Sequence, residues 1–142
     1  MSEPYTFRYI DHTADRGVAA SAPSLPKLFE AVAYAAFSLM ADRPSAHPTI
    51  ERHWELEADD LESLLVEWLR ELLFAFEVEG VFWVEFQVEQ IDETRPSLRA
   101  TTLGVPVSGV KLHGAIVKAA TYHGLEVRRS NGMWHAQVIF DV

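Results

Sequence analysis

Alternating apolar and polar positions predict β-strands at both ends of the chain. Near the start, YTFRYI places Tyr5, Phe7 and Tyr9 on one side of the backbone, which is the period-two pattern of a half-buried strand. DHTADRG follows as a turn, and the apolar run VAASA predicts a second strand that pairs with the first. Toward the other end, the Asn-Gly dipeptide of SNG at 130–132 predicts a tight hairpin that joins LEVRR to a last strand, MWHAQVIFDV.

Two segments show helical spacing instead. In SLPKLFEAVAYAAFSLMAD apolar residues recur every three or four positions after Ser24 as N-cap, and the prolines of RPSAHPTI end that helix. A second helix is predicted in DDLESLLVEWLRELLFAFEVEG, with Asp59 and Glu62 in the spacing of a capping box and Gly80 as its stop. The segments HWELEA, VFWVEFQVEQI and SLRATTLG alternate in the manner of strands.

The order of these elements predicts an α+β fold. Strands, helix, strand, helix and then several strands follow one another without the regular alternation that builds parallel sheets. We therefore expect two amphipathic helices packed on a mostly antiparallel β-sheet, in a sandwich. At 142 residues the chain has the length of one ordinary domain, so 1–142 is expected to be a single domain.

Composition narrows the classes of function. Acidic residues outnumber basic ones by 21 to 12, and the largest basic cluster is the pair at 128–129, which disfavours extensive direct binding of nucleic acid. The carboxylate surplus fits a divalent cation, a basic partner surface or plain solubility. The absence of cysteine excludes disulfides, thiolate zinc sites and cysteine nucleophiles. No stretch approaches the roughly 18 apolar residues of a membrane span, so we expect no membrane association and a cytoplasmic location.

Candidate chemistry is concentrated in DHTAD at 11–15, which offers oxygen ligands on Asp11, Thr13 and Asp15. The segment FDV adds Asp141 and, where the chain ends there, the α-carboxylate of Val142. Hard cations such as Ca²⁺ and Mg²⁺ take several such oxygens at about 2.0–2.6 Å. An Asp-rich turn that only bonds its own backbone fits the spacing equally, and spacing alone favours it.

A second unusual stretch, KLHGAIVKAATYHGLEV, interleaves Lys118, Thr121 and His123 with apolar residues. Such a face could meet a phosphate or a carboxylate, but a strand with one solvated side explains it more simply. The chain has no Walker loop, GxSxG elbow, GxGxxG, HExxH or RNP motif.

Taken together, these stretches resemble the archease family. The resemblance covers nearly the whole chain: DHTAD with its apolar strand, SLPKLFEAVAYAAFSLM, DDLESLLVEWLRELLF, KLH followed by VKAATYH, and FDV at the end. It implies an accessory protein, not itself an enzyme, for an RtcB-type RNA ligase that uses GTP and a divalent metal in tRNA splicing and RNA repair. Such a protein promotes guanylylation of the ligase and multiple turnover.

The resemblance also implies site residues. The metal ligands, for Ca²⁺, Mg²⁺ or Mn²⁺, fall on Asp15, Asp141 and the terminal carboxylate of Val142. Asp11 and His12 are expected to support those ligands or to contact the partner, and Lys118, Thr121 and His123 are expected near the same pocket. Two alternatives stay open.

The first alternative is a small metal-assisted hydrolase or phosphotransfer enzyme that uses His12 with Asp11 or Asp15 as its acid–base pair. The second is a chaperone-like binding module in which the carboxylates are only turn residues.

Overall fold

The structure is a computed structural model that describes residues 4–12 and 15–142, with residues 11 and 12 described by their backbone alone. The strands are β1 (Thr6–His12), β2 (Asp15–Ala22), β3 (Ile50–Glu57), β4 (Val81–Asp92), β5 (Ser97–Pro106), β6 (Ala119–Ser130) and β7 (Met133–Asp141). The helices are α1 (Leu25–Ser38) and α2 (Leu61–Glu79), and a short 3-10 turn covers Val107–Gly109. Within the described residues, neither helix is long and apolar enough to cross a membrane.

The strands form two antiparallel sheets. One has four strands in the order β1-β2-β7-β6, and the other has three in the order β3-β5-β4. The predicted α+β class, the two helices and the antiparallel pairing are confirmed. One sheet was predicted, but the strands are divided between two, because among the described residues β3, β4 and β5 pair with one another and not with the other four strands.

Helix α1 packs between elements of both sheets. It contacts β2 and β7 of the four-stranded sheet and β4 of the three-stranded sheet, and it is buried on nearly all sides. The predicted cap is confirmed, since the hydroxyl of Ser24 accepts the N–H of Lys27. The predicted apolar side of β1 also faces this helix: Phe7 packs edge-on to Tyr34, and the Tyr9 hydroxyl donates to the carbonyl of Ala35 at 3.1 Å.

Helix α2 begins one residue later than the capping prediction requires. Asp60, not Asp59, is the N-cap, because its backbone is extended and its carboxylate accepts the N–H of Ser63 at 2.7 Å. The predicted stop of the helix is confirmed, since Gly80 has a φ of 70° in the left-handed region and its N–H donates to the carbonyl of Ala75. The predicted apolar stripe of this helix is buried at Leu64, Leu65, Trp68, Leu69, Leu72 and Phe76.

The last third of the chain contains a predicted hairpin and a loop that the pattern did not predict. Asn131 and Gly132 have φ values of 54° and 75°, as a two-residue turn between β6 and β7 requires. Residues 110–118 are not a strand, since they pass over the end of α1, where the N–H groups of His113 and Gly114 donate to the carbonyl of Met40. The regular strand of the KLHGAIVKAATYHGLEV stretch begins only at Ala119.

Candidate functional site

The register of β7 brings the two acidic segments of the sequence to one end of the four-stranded sheet. Strand β7 lies between β2 and β6, with Phe140 opposite Arg16 and with Asp141 opposite Ala119. One position beyond the Arg16–Phe140 pair come Asp15 and Asp141. Residues in such positions on neighbouring antiparallel strands have Cα atoms about 4.5–5.5 Å apart and side chains on the same face. Asp15 and Asp141 are therefore neighbours on one face.

That face is the one turned away from the helices. Phe140 is fully buried, and its side chain points toward the core, so Asp141 as the next residue points to the opposite side. On β2, Val18 and Ala20 are buried against the helices, and the alternate residues, which include Asp15, lie on the outer face. Asp141 is exposed and Asp15 is half-buried.

Val142 and the two residues at the end of β1 complete this end of the sheet. Val142 follows β7, and its side chain is partly buried against the hydrophobic core. The backbones of Asp11 and His12 pair with Arg16 and Asp15, so these two residues lie at the same end of the sheet. The side chains of Asp11 and His12, and Thr13 entirely, lie outside the described residues.

The three residues predicted from KAATYH are distributed along β6. The N–H of Lys118 donates to the carbonyl of Asp141 at 2.8 Å, which places Lys118 at the acidic end with an exposed side chain. Thr121 lies three residues further along, about 10 Å away, and its hydroxyl donates to the carbonyl of Ile139. His123 is exposed and lies in the irregular part of β6 where the register with β7 shifts. Of the three, Lys118 is placed at the acidic end by a backbone bond between described residues.

The ligand atoms at the acidic end are of the type that a hard divalent cation prefers. Asp15 and Asp141 provide carboxylate oxygens, and two like charges on neighbouring strands repel each other unless a cation lies between them. Among the described side chains, no three of the His, Asp and Glu residues converge on a common metal position. The described side chains thus offer two ligands of the right type.

This fold and this site define a small α+β protein in which the first two strands and the last strand meet at an acidic sheet end. The family model described as Archease protein family (MTH1598/TM1083) matches residues 7–142, and the chain belongs to this family. The resemblance seen in the sequence is confirmed.

Relatives of the same name match over almost their full length. Protein archease of Methanosarcina mazei is 37% identical over 147 aligned positions, which cover 99% of each chain. Protein archease of Methanothermobacter thermautotrophicus is 35% identical over 138 positions, which cover 96% of this chain and 98% of that protein.

Two solved structures share the fold. The solution structure of Methanobacterium thermoautotrophicum protein 1598 superposes with a TM-score of 0.74 at 33% identity and covers 99% of this chain and 100% of that one. The crystal structure of an archease from Thermotoga maritima, described as a possible chaperone, has a TM-score of 0.60 at 20% identity and covers 94% of both chains. The second similarity supports the fold alone.

Proposed function

We propose that this protein is a non-catalytic activator of an RtcB-type RNA ligase and that it binds a divalent metal ion at the acidic end of its four-stranded sheet. In this role it promotes guanylylation of the ligase and multiple turnover in tRNA splicing or RNA repair. The observation behind the metal site is the placement of Asp15 and Asp141 at neighbouring positions on an exposed face. The ligase as partner rests on the family to which the chain belongs.

The carboxylates of Asp15 and Asp141 hold the cation, together with the α-carboxylate of Val142 where the chain ends there. A bound Ca²⁺, Mg²⁺ or Mn²⁺ offsets two of these three negative charges and offers its remaining coordination positions to oxygen ligands of the partner. Lys118 is anchored beside them through its backbone bond to Asp141. The rigid sheet holds the ligands in place, and the chain shifts the ligase toward its guanylylation-competent state by binding that state more tightly.

A multiple-turnover ligation assay with the ligase from the same source tests the partner. Wild-type protein is expected to raise the number of RNA joins per ligase, and Asp15→Asn or Asp141→Asn is expected to return it to the level of the ligase alone. Asp59→Asn is the matched control, because Asp59 is exposed, precedes the start of α2 and lies beside Arg95 and Pro96 at the turn before β5 rather than on β2 or β7. No increase with wild-type protein would rule out the proposed role.

Direct titration tests the metal site separately. Calorimetry with Ca²⁺, Mg²⁺ and Mn²⁺ should detect one site that both Asp→Asn variants lose and that Asp59→Asn keeps. A chain extended beyond Val142 should bind the metal more weakly, and unchanged binding would show that the terminal carboxylate is not a ligand. Phosphoester hydrolysis by the purified protein that disappears in His12→Ala would favour the hydrolase alternative instead.

A further inference from the structure

A second polar cluster lies on the outer face of the four-stranded sheet, away from the acidic end. It surrounds an open groove with a volume of about 370 Å³, within the size range of small-ligand sites. The side chains used in the argument below are Arg8 of β1, Ser21 of β2, His135 of β7, and Glu126 and Arg128 of β6. We call this cavity the outer groove.

The register explains why residues distant in sequence share the outer groove. Ser21 pairs with His135, and His135 pairs with Arg128, so these three form one row across the sheet. In the next row Arg8 pairs with Ala19. Because β2 contributes only short side chains here, the longer side chains of β1, β7 and β6 rise on both sides of it and form the walls.

The floor of the groove is fixed by a hydrogen bond between Ser21 and His135. The distance from the Ser21 Oγ to the His135 Nδ1 is 2.8 Å, and both residues are partly buried. The pair offers a hydroxyl and an imidazole to a ligand from a defined position, since each side chain orients the other.

The walls of the groove are positively charged in a protein whose net charge is -9. Arg128 uses its Nε to bond the Glu126 carboxylate at 2.9 Å, which orients the guanidinium and leaves its two terminal nitrogens without another partner in the described part of the chain. Arg8 is exposed and makes no ion pair with the described residues. Two guanidinium groups thus face the groove against one carboxylate, and that carboxylate is already paired.

We propose that the outer groove binds a phosphomonoester dianion, with Arg8 and Arg128 on opposite sides of the phosphate and the Ser21–His135 pair beneath it. Guanidinium groups match phosphate oxygens in geometry as well as in charge, which makes arginine the preferred residue for such ligands. Asp15 lies four residues from Ala19 along β2, about 13 Å away, so the acidic end repels a bound anion only weakly at physiological salt. The proposal is independent of the ligase and the metal site.

The test is a titration of the full chain with ribose 5-phosphate and with inorganic phosphate, followed by calorimetry and by amide NMR. We expect saturable one-to-one binding with a Kd of about 1 mM or tighter, with shifts centred on Ser21, His135 and Arg128. Ribose itself should not bind. Arg128→Gln should weaken binding about tenfold or more, since a hydrogen bond to a charged group is lost.

Arg129→Gln is the matched control for Arg128→Gln. It removes the same charge from the neighbouring residue, but the Arg129 guanidinium lies over the Trp134 ring at 5.8 Å, on the other face of the strand. Equal weakening by the two variants would show general charge attraction and overturn the proposal. Absence of saturation, shifts centred outside the groove, or binding of single-stranded RNA without binding of ribose 5-phosphate would overturn it as well.

Discussion

Replacement of Glu30, a buried carboxylate in the middle of α1, tests how this helix is joined to the three-stranded sheet. The residue is 6% exposed, and its Oε2 accepts the backbone N–H of Val88 at 2.9 Å. Val88 adjoins a register shift in β4, where the ladder to β5 is interrupted. The other carboxylate oxygen of Glu30, Oε1, accepts a hydrogen bond from the Lys27 Nζ at 3.1 Å. We expect the backbone bond to matter more than the ion pair.

The magnitudes follow from burial. Glu30→Ala leaves the buried N–H of Val88 without an acceptor, which costs about 1–3 kcal/mol, and it removes a buried methylene group worth about 0.8 kcal/mol. The ion pair spans i,i+3 on one helix and the Lys27 side chain is 43% exposed, so Lys27→Ala should cost at most about 0.5 kcal/mol. Glu30→Gln keeps an acceptor oxygen and should fall between the two.

Urea unfolding followed by tryptophan fluorescence measures these differences, provided the three variants share one m-value. Hydrogen exchange at the Val88 amide adds a local measurement, since that amide should lose protection in Glu30→Ala and keep it in Lys27→Ala. If Glu30→Ala and Lys27→Ala cost the same within about 0.5 kcal/mol, the ion pair accounts for the whole effect and the reasoning is refuted.

Two further predictions concern the loop over α1 and the cap of α2. A Cβ on Gly114 would clash with the carbonyl oxygen of Leu39, so Gly114→Ala should destabilise the protein by about 1–3 kcal/mol in urea unfolding. A Cβ on Gly109 would meet no atom within 4 Å, so Gly109→Ala should not destabilise it, and equal effects of the two variants would contradict the close approach at Gly114. Hydrogen bonds from Ser63, first from its backbone, hold the pKa of Asp60 below the ordinary 3.8. The contribution of the Asp60 carboxylate to stability is therefore present above pH 3.8 and lost as the pH falls through the lowered pKa. The urea midpoint should thus fall less between pH 7 and pH 3 in Asp60→Asn than in the wild-type protein. An equal fall in both proteins would refute the role of the cap.

Local patterns were sufficient to predict the elements of this fold. The alternation in YTFRYI, the stripe of α2 and the Asn-Gly turn each depend on residues close in sequence, and each is present in the structure. The division into two sheets was not predictable in this way, because it depends on pairings between distant strands, such as Ser21 with His135 across 114 residues. The loop at 110–118 was missed for the same reason, since its hydrogen bonds to Met40 join segments that are distant in sequence.

The candidate site shows the same limit more sharply. The acidic segments were visible in the sequence, but their proximity follows from β7 lying beside β2, which periodicity cannot show. The outer groove was missed, because Ser21 and His135 each look like an ordinary polar residue of an alternating strand. A useful signal was present in β7 itself, where His135 and Gln137 on the outer face alternate with the buried Ala136 and Val138.

An apolar row lies between the two polar regions of the outer face and fixes the register on which both depend. Ile10 pairs with Gly17 and Gly17 with Ile139, and a Cβ on Gly17 would lie 2.8 Å from the Ile139 Cδ1 and 3.0 Å from the Ile10 Cβ. Glycine therefore lets the two isoleucines approach each other across β2. A slip of β7 by one residue would separate them and turn Asp141 and His135 to the helix side of the sheet. This contact adjoins both the acidic end and the outer groove, so a bulkier residue at Gly17 should disturb both together.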